Sequence, residues 1–205
     1  MLKKMKLIIF IISSIIISSC SKEVKKNDVF ISSLQKYYST NNRSELQAAY
    51  LELKPKINDK EALLNYDKQS VVSAFMILKK YDELKMLVNN QSNIDYNDKL
   101  ILNLLDYILE KKSGNIKKEF IYNNIKLVQD TLVKSPKDSL LYIDYFTMRS
   151  ILKNNKGIND EIDSMQYTNS NFTDSYYNDI LRVAIDEFYD SEVTDDIFNK
   201  EEKKR

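Results

Sequence analysis

Any chemistry in this chain has to be built from carboxylates, lysines, tyrosines and hydroxyls. Its 205 residues contain no histidine and a single cysteine, Cys20. That removes Ser-His-Asp and Cys-His nucleophilic machinery, the usual zinc ligand sets and structural disulfides. Paired carboxylates of the glycosidase kind stay open, yet no pair of acids is marked above the others by its spacing. The acids from Asp186 to Asp196 lack the glycine and ligand spacing of a calcium loop and read as a solvated face. No metal or other cofactor is expected. What does carry a pattern is tyrosine with arginine. The chain holds fourteen tyrosines and no tryptophan, and arginine supplies only Arg43, Arg149, Arg182 and Arg205 among 31 basic side chains. Tyr142, Tyr145 and Arg149 fall at i, i+3 and i+7, one stripe of a helix. Tyr176, Tyr177 and Arg182 form a second cluster. Tyrosine and arginine are favoured at binding hot spots, so both clusters are candidates for contact with a partner. The competing use is structural. The tyrosines would be core residues with satisfied hydroxyls, and each guanidinium would pair with a buried acid such as Asp144, Asp179 or Asp186.

The lone thiol has a context of its own. Lys3, Lys4 and Lys6 precede an apolar run of about 11 residues, Leu7 to Ile17, broken only by Ser13 and Ser14; this is the layout of an export signal. The run is too short to span a bilayer, which takes about 20 apolar residues. Ile17-Ser18-Ser19-Cys20 then resembles the lipobox of bacterial lipoproteins. That resemblance implies diacylglycerol on the Cys20 thiol, cleavage just before it and acylation of the new amino group. It also implies an anchored protein facing the periplasm or exterior, with Ser21 permitting the outer membrane in a Gram-negative cell. Residues 1–19 would be removed and 20–27 would be a lipidated tether, leaving 28–205 as a single all-α domain. Cleavage takes three lysines and no acid from a chain with 31 basic and 30 acidic side chains. The slightly acidic remainder has no basic face for nucleic acid.

The elements that must position these residues are helices. Two glycines and two prolines are too few for the turns a sheet demands. Leu100, Ile101, Leu104, Leu105, Ile108 and Leu109 recur at helical steps, as do Ile121, Ile125, Val128 and Leu132, and Tyr176, Tyr177, Ile180, Leu181, Ala184 and Phe188. Ser44 to Gln47 fits a capping box, and Ser135-Pro136 a cap followed by a proline at the first helical position. Gly114 and Gly157 suit left-handed helix ends. Asn41-Asn42, Asn89-Asn90 and Pro55 are further breaks. Helices are therefore expected over 26–40, 44–54, 60–80, 82–90, 96–112, 116–134, 137–154, 159–165, 173–189 and 194–203. Taken in twos they make an array or bundle of about five helical hairpins, with first helices starting about 34–41 residues apart. The segment AFMILKKYDELKMLVNN resembles a tetratricopeptide repeat, which implies an α-α superhelix. The small residues which that family keeps at helix crossings are represented only by Ala48, Ala49 and Ala74.

Helical arrays hold proteins or peptides on extended surfaces. The expected function is a membrane-anchored, non-catalytic protein-binding or assembly module. In it Tyr142, Tyr145, Arg149, Tyr176, Tyr177 and Arg182 would line one concave face. The alternative is an immunity lipoprotein that neutralises an envelope-targeted toxin. A carboxylate-based enzyme cutting peptidoglycan comes third, because the chain lacks the Glu-Ser pair and glycine-rich motifs of lytic transglycosylases.

Overall fold

A computed structural model describes residues 29–60, 62–153 and 155–198. Cys20, the signal segment, the tether and residues 199–205 of the expected last helix lie outside them. The described residues are all-helical, and their helices are α1 (Val29–Thr40), α2 (Ser44–Leu53), α3 (Lys68–Ile77), α4 (Tyr81–Asn89), α5 (Tyr96–Lys112), α6 (Glu119–Lys134), α7 (Ser139–Ser150), α8 (Asn155–Thr168) and α9 (Arg182–Asp190). None is long and apolar enough to cross a membrane. They form two compact units, 29–105 and 106–198.

In the first unit, α1 and α2 form a hairpin across the Asn41-Asn42 break. Asn41 takes the left-handed backbone that ends α1, at φ 55°, and the Asn42 carbonyl oxygen Oδ1 accepts the Ser44 N–H at 2.9 Å. The capping box read at Ser44 to Gln47 does not form, because Ser44 is already helical and Arg43 stands at the cap without a side-chain bond. The aromatic centre is Phe30 against Tyr66 and Phe75, with Tyr50 edge-on to Phe75 at 5.4 Å. Leu46, Leu53, Leu84, Leu87, Leu100 and Leu105 complete it, all fully buried. Burying each side chain of this size is worth about 1.5–3 kcal/mol.

The helix expected over 60–80 starts later. Ala62–Asn65 is a single tight turn, and α3 begins only where Asp67 caps it, accepting from the Ser70 N–H at 2.8 Å. The α3–α4 link is as short as the sequence suggested. Lys80 N–H reaches Phe75 O at 2.9 Å and Lys79 N–H reaches Met76 O at 3.0 Å. This is a Schellman ending with lysine in the left-handed position, at φ 57°.

The second unit contains the candidate residues. Gly114 ends α5 as expected, at φ 85°, with Asn115 N–H on Glu110 O and Gly114 N–H on Lys111 O. Gly157 does not end a helix; it lies in the first turn of α8. The α7 cap also moves. Asp138, not Ser135, caps it, accepting from Leu140 N–H at 3.0 Å and Leu141 N–H at 3.4 Å. Residues 135–138 form the turn between α6 and α7. The two helices run antiparallel, with Asn124 Nδ2 3.4 Å from Met148 Sδ in the buried seam.

Tyr176–Leu181 is a π turn running into α9. Its i→i+5 bonding, shown by Arg182 N–H on Tyr177 O, makes the turn wider than an α turn. Leu181 therefore returns to the buried face of Tyr176 while Ile180, expected on that face, is 44% exposed. This segment and α9 lie beside α7 and parallel to it. Tyr176 Oη donates to Ser139 O at 2.7 Å near the start of α7, and Tyr189 Oη to Ser150 O at 3.0 Å at its end. Beyond α9, where a helix over 194–203 was expected, Glu192–Thr194 makes one tight turn. Phe198 then packs on Tyr189 at 4.8 Å, and Lys111 Nζ donates to Ile197 O at 2.6 Å.

Candidate functional site

The structure separates the six tyrosine and arginine candidates into three roles. Tyr176 and Tyr177 are packing residues, 6% and 1% exposed. Tyr176 stacks on Phe172 at 4.4 Å, and Tyr177 Oη donates to Asn169 O at 3.0 Å. Burial, followed by the neighbouring Tyr177, Tyr142, Asp138 and Asp144, pushes the Tyr176 hydroxyl far above the usual phenol range. Burial, then Tyr142 and Asp174, raises Tyr177 in the same way. Both remain neutral donors, and neither offers a surface to a partner.

The arginines anchor α8. Arg149 Nη2 donates to Glu161 Oε1 at 2.6 Å and Nη1 to Tyr145 Oη at 3.2 Å. Arg182 Nη1 donates to Asn159 Oδ1 at 2.9 Å, its Nη2 to Asp163, and its Nε to Asn178 Oδ1 at 3.2 Å. Both arginines are paired, but not with the buried acids expected, since Glu161 is only half-buried and Asp163 is exposed. Neither Asp144, Asp179 nor Asp186 is the partner seen; the acids come from α8, and Asp179 accepts from Ser175 Oγ instead. Sequence spacing could not single out Glu161 and Asp163, because they lie on a separate helix among other exposed acids.

Tyr142 and Tyr145 have the third role. Both are half-buried on α7. Tyr142 meets Phe172 edge-on at 5.1 Å, and its hydroxyl donates to Pro136 O at 3.3 Å and accepts from Asn169 Nδ2 at 3.2 Å. Tyr145 lies under the Arg149 guanidinium, 5.5 Å from its ring centre, a cation–π contact. Together with Gln129, Leu132 and Val133 of α6 they line an open groove of about 410 Å³. Val133 is 82% exposed. The α6 wall was not singled out from the sequence, although a signal existed. Val133 follows the last residue of the apolar stripe Ile121, Ile125, Val128, Leu132 and therefore falls off its buried face.

Beyond Tyr145 on the chain, Glu161 Oε1 receives both Arg149 and Lys153. Burial works to raise the pKa of Glu161, but the hydrogen bonds and charges of Lys153 and Arg149 prevail and hold it below the ordinary carboxylate range. One carboxylate serves two cations there, so this trio carries one positive charge in excess. Among the described residues no three acidic or thiol side chains gather as a metal site would require. A comparison of the chain with protein-family models, curated proteins and solved structures finds no match in any of the three.

Proposed function

We propose that the mature chain is a non-catalytic protein-binding module, held on the extracytoplasmic side of a bacterial membrane by lipid on Cys20. The observation that carries the binding half is the groove between α6 and α7. It pairs two half-exposed tyrosines with a solvent-facing valine, the mixture of rigid amphipathic and apolar surface that contact sites use. On the same face of α6, at helical spacing from Gln129, Tyr122 is also exposed. A binding role fits two of the shifted titrating groups too. Asp98 and Tyr176 are each buried and held by an internal partner, whereas a catalytic acid or base would face a cleft.

Photo-crosslinking in membranes tests this. A photoreactive amino acid is placed in turn at Tyr145, Tyr122 and Glu52 of the full chain. The expected result is a discrete adduct of higher mass from at least one position at native expression. Absence of any adduct from all of these faces overturns the binding-module reading.

A further inference from the structure

The α6–α7 groove has an asymmetry that defines what it would hold. Asn124 faces Met148, and Leu132 and Val133 face Tyr142 and Tyr145; this fixes the antiparallel register. Going along α6 away from Val133, Gln129 and then the exposed Lys126 follow at helical spacing. They run toward the Arg149 end of α7. One end of the groove is therefore apolar and aromatic, and the other presents Lys126, Arg149 and Lys153. Lys134 and Lys137 flank the apolar end, at the α6–α7 turn.

The carboxylates nearby do not cancel these cations. Glu161 is shared between Arg149 and Lys153. Asp138 is committed to the α7 N-terminus. Asp130 remains, one turn from both Lys126 and Lys134 on α6 and able to offset one of them; with Glu161 and Asp138 it sets three carboxylates against the five cations Lys126, Lys134, Lys137, Arg149 and Lys153. The surroundings of the groove are positive, although the chain as a whole is close to neutral. Field complementarity selects partners of opposite sign and speeds their encounter.

We infer that this groove takes an acidic peptide segment of a partner protein. An apolar or aromatic side chain would sit over Tyr142, Tyr145 and Val133, and carboxylates would lie toward Lys126 and Arg149. This rests on the binding-module reading and specifies its site and ligand class. The Tyr145 ring is already held by Arg149 and by Phe146, which meets it edge-on at 5.2 Å. Contact would therefore cost little ordering of that side chain.

Selection of the full chain in detergent against a displayed random dodecapeptide library reads the preference without assuming a sequence. The enriched peptides should be rich in Asp and Glu around an aromatic or aliphatic residue. Their binding should weaken when salt is raised and fall by about tenfold or more in Tyr145→Ala and in Lys126→Glu. Circular dichroism checks that both variants keep the fold. Enrichment of neutral or basic peptides, no enrichment, or equal binding to the variants overturns the assignment. So does self-association that Tyr145→Ala abolishes, because the groove would then belong to a second copy. A discrete adduct from Glu52 alone, with no acidic preference here, would leave the module standing and remove only this groove.

Discussion

Buried polar groups separate the residues that hold the fold from those that face outward. Asp98 is 1% exposed, yet it lies 2.5 Å from Lys68 Nζ and accepts the Asp95 N–H at 3.1 Å, while Asp95 Oδ1 returns the favour to the Asp98 N–H at 2.8 Å. Burial dominates over Lys68 and raises its pKa above the ordinary carboxylate value. The native state therefore binds this proton more readily than the unfolded chain does. That contribution is fully present below the unfolded value near 3.8 and is lost as pH rises through the higher folded one. Denaturant titrations across mildly acidic pH should show Asp98 favouring stability on the acid side, and Asp98→Asn should remove that slope. An unchanged slope in the variant would mean that Asp98 is not the group responsible. Tyr176 tests burial differently. Tyr176→Phe, which loses the bond to Ser139 O, should cost about 1 kcal/mol. Tyr176→Ala should cost about 3–5 kcal/mol, and a melt little changed in Tyr176→Ala would return this ring to the surface.

Helix ends show how far the sequence specifies the elements. Long apolar stripes gave α5, α6 and α9, because periodicity sums many weak preferences. The ends were less legible wherever several residues competed for one cap. Ser135 and Asp138 both suit an N-cap, and the turn geometry chose Asp138. Asp67 ended the reading of a long helix over 60–80, a choice made by its bond to Ser70. The π turn carries no composition signal, so the outward turn of Ile180 could not be foreseen. The groove was half legible, since Tyr142 and Tyr145 were marked by type, whereas its α6 wall depended on the register of two helices. Lys79 shows a cost that the fold tolerates. A lysine at φ 57° sits where glycine avoids the strain of a left-handed backbone. Lys79→Gly should therefore raise stability by about 1 kcal/mol, offset in part by glycine's freedom in the unfolded chain. A fall in the midpoint of chemical denaturation would instead show that the contacts of the Lys79 side chain outweigh its backbone strain.

At the scale of the whole molecule the question is what would hold a near-neutral helical protein at a membrane, as proposed. No described helix is long and apolar enough to span one, and the charge of the chain is close to even. The proposed attachment is covalent, at Cys20. One acyl chain binds only marginally, and a lipoprotein of this kind would carry two or more, each buried methylene adding about 0.8 kcal/mol. Cys20→Ala leaves no thiol for the lipid, since the chain has no other cysteine. Labelled palmitate should enter the wild-type chain and not the variant, which should accumulate as a longer, uncut precursor. The label decides the matter more cleanly than flotation, because an uncut apolar leader could by itself hold some precursor at the membrane. Equal labelling of wild type and Cys20→Ala, or wild-type chain recovered without lipid and cut elsewhere, would show an ordinary secreted protein whose only cysteine lies near its cleavage site by chance.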